Sequence, residues 1–181
     1  CWLFPVTGDD WFREELGRGL KSPRELLETV ASGWLTYNGR AAGNLLAYAA
    51  GGRKVLREVL RALITLGTVS LAARNCGFRT AGGVLLAAAA LLALPRAMFA
   101  QIYPWAAGFF NYVPPVLLLL AAFWLLRGVF EGRDVPNSLP RAGAVFLLGF
   151  VSQFFIENDT LYALWAGVVL AVWYRLSRKS W

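Results

Sequence analysis

Four short polar clusters interrupt an otherwise apolar chain, and each holds residue types that do chemistry. They are Gly8-Asp9-Asp10-Trp11, Tyr37-Asn38-Gly39-Arg40, the stretch from Trp105 to Tyr112 with Asn111 inside it, and the stretch from Gln153 to Asp159 with Glu157 and Asn158. Adjacent carboxylates at Asp9 and Asp10 can hold a divalent cation such as Mg²⁺ or Mn²⁺. Alternatively, one can act as a general base while its neighbour tunes its pKa. Gly-Asp is also ordinary turn chemistry. The guanidinium of Arg40, behind an Asn38-Gly39 turn, can grip a phosphate through two N–H donors or anchor at lipid headgroups. Arg96 carries the same two readings. Asn111 can accept from and donate to hydroxyls, and Trp105 and Tyr112 offer stacking faces. The same aromatics also fit a membrane-boundary girdle. Glu157 follows Gln153 by one helical turn at the end of an apolar run, where ionisable groups point to function.

Other chemistries are excluded by composition. The sequence has no histidine, so a Ser-His-Asp triad, a histidine base and histidine-ligated zinc or haem are absent. Any metal would take oxygen ligands and be a hard cation. Two cysteines, Cys1 and Cys76, give no disulfide framework.

The elements that must position these clusters are membrane helices. Of 181 residues, 57% are hydrophobic and 16% charged, whereas a soluble domain is nearer 45–50% apolar and about 25% charged. The net charge of +7 does not point to nucleic acid, because the basic residues mostly flank apolar runs, where they anchor helices. Apolar runs predict an all-α, polytopic transmembrane helix bundle with spans at 55–74, 80–95, 113–127, 142–156 and 161–175. Residues 1–5 are read as the end of a first helix rather than a signal peptide, and 1–181 as one transmembrane domain fragment. Pro114-Pro115 marks the start of the third span, and Trp105–Tyr112 precedes it as a loop.

If residues 1–5 exit outward, the inner loops carry eight basic residues against two acidic ones, while Arg96 is the only basic residue in the short outer loops. Positive charge on the inner side is the expected bias. All four polar clusters then lie at the outer face. The outer segment 6–54 holds two amphipathic interfacial pieces. Ser22-Pro23 with Glu25 predicts a capped helix start carrying Leu26, Leu27, Val30 and Trp34 on one face. Ala41–Ala50 is uncharged and ends at Gly51-Gly52. A short helix over Trp11–Leu16 would be capped by Asp10, leaving Asp9 to face a cavity.

The order of motifs, D-D-W, then N-G-R after an amphipathic helix, then W-x-x-G-x-x-N-Y, then E-N at a late helix end, resembles a family of bacterial polytopic membrane proteins of unknown function. That family is similar to the GT-C class of membrane glycosyltransferases. The resemblance covers roughly Gly8 to Asp159. It implies transfer of a sugar from a polyprenyl-phosphate carrier to an envelope glycan or lipid acceptor, by direct displacement with inversion. It implies an integral protein of the bacterial inner membrane with its site facing the periplasm or exterior, in contact with membrane lipids. Asp9 or Asp10 would be base or metal ligand, and Arg40 with Arg96 would face the departing phosphate. Asn38, Trp105, Asn111, Tyr112, Glu157 and Asn158 would bind the substrate. The chain departs from a full enzyme of that class in lacking most of a first helix, later helices and a soluble acceptor domain. The rival reading is a non-enzymatic membrane protein, such as a lipid-linked glycan transporter or an assembly subunit.

Overall fold

A computed structural model describes residues 6–132, 138–156, 165, 167–169, 172–173 and 175–176. Within them the protein is all-α. The helices are α1 (Asp10–Gly19), α2 (Pro23–Thr36), α3 (Ala41–Ala50), α4 (Lys54–Asn75), α5 (Ala81–Leu92), α6 (Arg96–Ile102), α7 (Ala106–Phe130) and α8 (Leu139–Ser152).

Local sequence sets several of these boundaries. Ser22 accepts from the Glu25 amide, Pro23 occupies the first helical position, and the Glu25 carboxylate accepts from the Lys21 amide one residue before the cap, a variant of the capping box. Thr80 and Ser138 cap α5 and α8 in the same way. α5 stops before Pro95, which caps α6, and the chain bends there by 102°. At 12 residues, α5 is about 18 Å long and does not cross an apolar layer of about 30 Å unaided. The expected straight span over 80–95 is therefore a bent pair.

α7 also differs from expectation. It does not begin at Pro114-Pro115 but runs unbroken through both prolines from Ala106. Each proline removes an N–H from the helix ladder, and in return Ala106–Phe110 are buried by neighbouring helices. Trp105–Tyr112 is thus the buried entry of a helix rather than a loop. α7 is the one helix, among the described residues, long and apolar enough to cross a membrane. α8 starts earlier and ends earlier than the 142–156 span. The expected span at 161–175 falls largely outside the described residues, and residues 1–5 fall wholly outside them.

α4 and α7 run side by side in the same direction. Near their starts the Arg61 guanidinium lies over the Phe109 ring at 5.2 Å. Near their ends Asn75 Nδ2 donates to the Leu120 carbonyl at 2.9 Å and Arg127 Nη1 to the Arg74 carbonyl at 2.5 Å. α3 packs across the start of α7, α1 and α2 pack on α3, and α8 packs along α7. Beyond α8 the chain returns to the same end, where the Ala42 amide donates to the Phe154 carbonyl at 2.9 Å and Phe154 meets Trp34 edge-on. The apolar core is Ala47, Ala50, Tyr103, Phe109, Phe110 and Val113. Outward faces of α4, α5, α7 and α8 show Leu63, Leu66, Leu85, Leu86, Phe123, Phe146 and Phe150. Apolar side chains facing out around a buried polar centre suit a lipid surround.

Candidate functional site

The polar end of the bundle is built around α1. This helix buries Asp10, Arg13 and Gly17, which recur at helical spacing, and exposes Trp11 and Phe12. Its face toward the protein is polar, while Trp11 and Phe12 lie exposed beside Glu15 and Arg18 on the outward side. Gly17 makes the seating possible. A Cβ there would lie 2.6 Å from Gly51 Cα and from the Tyr48 carbonyl oxygen, so α1 and α3 meet backbone to backbone.

Asp10, 3% exposed, does not cap α1. Its Oδ2 accepts from the Ala106 amide at 2.9 Å and its Oδ1 from the Ala107 amide at 2.8 Å. These are orphan donors of the first turn of α7, whose own cap residue Trp105 offers no side-chain bond. Asp10 therefore caps a helix almost a hundred positions away in sequence, at its positive dipole end. Burial pushes its carboxyl above the ordinary aspartate range, against the opposing pull of the two amides, Arg57 and Arg13.

Arg13 continues the network. Its Nη1 donates to Asn44 Oδ1 at 2.9 Å and its guanidinium lies over the Tyr48 ring at 5.8 Å. Asn44 Nδ2 donates to Asn38 Oδ1 at 3.0 Å, which also accepts the Arg40 amide at 3.1 Å. On the α4 side Arg57 bonds Glu14 and, at 3.3 Å, Glu58, and Glu58 lies 3.6 Å from Arg61. Arg61 is 2% exposed. Taking such charges from water is compensated only by pairing of this kind.

Asn111 is buried on α7. Its Nδ2 donates to the Ala107 carbonyl at 2.7 Å, while its Oδ1 has no donor among the described residues and presses on Gly43, where a Cβ would collide with it. The Trp105 indole N–H is likewise buried without an acceptor among the described residues. Tyr112 is half-buried on α7 and Arg96 exposed at the first residue of α6. Neither lines the main cavity. Glu157 and Asn158 lie outside the described residues.

That cavity is a groove of about 850 Å³ between α1 and α2, floored by Tyr48 of α3. Asp9 and Arg13 line it, with Tyr37 from the turn before Arg40. Of the residues expected at the outer site, Asp9 faces the groove, Asp10 and Asn38 belong to the interhelical contacts behind it, and Asn111 bonds within α7 against Gly43. The two carboxylates of the acidic pair sit in different surroundings, Asp10 on the amides that begin α7 and Asp9 exposed at the groove. Among the described residues, no three acidic or cysteine side chains gather as metal ligands.

Sequence reasoning missed Arg13, Asn44 and Tyr48. The signal was present: Asp10, Arg13 and Gly17 share one helix face, and Asn44 and Tyr48 share another in a segment with no other reason to be polar. Arg57 and Arg61 looked like headgroup anchors, but they are buried.

No family model matches the chain, and no curated protein or solved structure matches it either.

Proposed function

We propose that this protein is a multi-span membrane glycosyltransferase of GT-C-like chemistry, moving a sugar from a polyprenyl-phosphate carrier to an acceptor hydroxyl. We place it in the bacterial inner membrane with the α1–α3 end outward. The observation that carries the reading is the division of labour within Asp9-Asp10. Asp10 is fixed on the start of α7, and Asp9, the next residue back, is exposed and lines the groove. A carboxylate held by a clamped neighbour at the mouth of a groove is what base catalysis needs.

In this reading Asp9 takes the proton of the acceptor hydroxyl as its oxygen attacks the anomeric carbon. The bond from that carbon to the phosphate oxygen breaks, and polyprenyl phosphate leaves with the electron pair. Arg40, on the turn beside Tyr37, stabilises the charge on the departing phosphate. Neither Arg40 nor Arg96 lines the groove; Arg40 is assigned the phosphate because it follows Tyr37, which does line it, by three residues, whereas Arg96 is exposed at the start of α6.

The test is release of polyprenyl phosphate, a product common to every donor of this type. The full chain in liposomes is supplied with polyprenyl phosphomannose or polyprenyl phosphoglucose and bacterial envelope glycan. Time-dependent release above protein-free liposomes supports the reading. No release from either donor removes it in favour of a transport or assembly role.

A further inference from the structure

The two walls of the groove differ in chemistry. Phe12 and Leu16, one helical turn apart on α1, and Leu20 just beyond its end make an apolar wall. Glu25, Glu28, Thr29, Ser32 and Thr36 come from the facing side of α2 and make a wall of carboxylates and hydroxyls. Between Asp9 and Leu20 the helix rises about 16 Å, so the groove is longer than a single sugar ring.

Charge narrows the occupant. Asp9, Glu25 and Glu28 put three carboxylates on the groove; Glu28 is paired with Arg24 at 2.7 Å, which leaves two against the guanidinium of Arg13. That guanidinium is nearly buried and already directed at Asn44 and the Tyr48 ring. A field of this sign disfavours phosphates and other anions. A hydrocarbon chain would leave the acidic α2 wall facing apolar matter. A sugar chain matches both walls, because each ring has an apolar C–H face and a rim of hydroxyls that carboxylates and hydroxyls can bond.

We infer that the groove between α1 and α2 binds an uncharged glycan chain, its ring faces on Phe12 and Leu16 and its hydroxyls toward α2. This rests on the glycosyl-transfer reading and assigns its acceptor: a neutral glycan, whose reactive hydroxyl lies at the Asp9 end. The carrier's phosphate is bound outside the groove.

The test is saturation-transfer NMR on the full chain in nanodiscs, with maltohexaose, cellohexaose and mannohexaose, each neutral or bearing a terminal phosphate. Expected is transfer to the ring C–H protons of at least one neutral oligomer, and about tenfold weaker transfer to its phosphorylated form. Ser32 is exposed on the α2 wall, so Ser32→Trp should fill the groove without disturbing the core and abolish the signal. Phe12→Ala should weaken it. Absence of transfer from all neutral oligomers, equal transfer in Ser32→Trp, or stronger transfer from the phosphorylated forms would each overturn the inference. Displacement of the signal by hexalysine but by no neutral glycan would also overturn it, assigning the groove to a cationic partner. Glycan binding without polyprenyl phosphate release would leave the groove assigned and remove the transfer reaction. Release without glycan binding would do the reverse.

Discussion

Asp10 spans two parts of the molecule with one carboxylate, and its energetics can be read from what it touches. Removing it with Asp10→Ala leaves the Ala106 and Ala107 amides unpaired in a buried place, which costs roughly 2 kcal/mol. Its titration has a definite sign. Burial raises its carboxyl above the unfolded value, so protonation favours the folded state. The contribution is complete below the unfolded value of about 3.9 and is lost as pH rises through the folded value. The stability gap between wild type and Asp10→Asn, whose amide does not titrate, should therefore widen as the pH of a thermal melt is lowered from about 7 to about 4.5. A gap that narrows in acid would mean that the paired amides outweigh burial. The sequence showed that Asp9 and Asp10 had to point different ways, because neighbours on a helix do. It could not show what Asp10 would cap, since the partner lies across a tertiary contact that no local pattern encodes.

At the scale of elements, α1 and α7 are the informative pair. α2, α3 and α4 were legible: the capping box, the uncharged run ending at Gly51-Gly52 and the apolar run after Arg61 place them within a few residues. α7 was not. Two consecutive prolines read as a helix start, and only burial of the turns before them by α1, α3 and α6 lets the helix begin at Ala106. α1 was half legible. A short helix follows from the sequence, but the burial of its Asp10, Arg13 and Gly17 face does not, because a polar stripe is ordinarily assigned to water. The close meeting of α1 and α3 makes a direct test. In Gly17→Ala the new Cβ meets backbone atoms of Tyr48 and Gly51 that cannot swing aside. Overpacking of this kind costs about 1–3 kcal/mol. Gly19→Ala, with nothing near its Cβ, should leave stability unchanged or slightly raised. Thermal melts of the two variants check the difference, and equal melts would mean that α1 does not sit on Gly51.

At the scale of the whole molecule, the polar groups gather at one end of the bundle and the far ends of α4 and α7 lie at the other, with Cys76 exposed beyond α4. The proposed orientation, argued from the positive-inside bias, puts the polar end outward. In cells carrying Glu15→Cys with Cys1 and Cys76 replaced, an impermeant thiol reagent should label position 15. In cells keeping Cys76 alone, it should label nothing until the membrane is opened. The reverse pattern would put the groove in the cytoplasm. Asp9 as the base at the groove and Asp10 as its clamp are the central proposed roles. The most direct measurement is polyprenyl phosphate release by wild type, Asp9→Asn and Asp10→Asn, each normalised to folded protein. Loss of a general base lowers turnover by about 10²–10⁴-fold, so Asp9→Asn should fall in that range while Asp10→Asn melts earlier and stays within about tenfold of wild type. Turnover near wild type in Asp9→Asn would contradict the assignment.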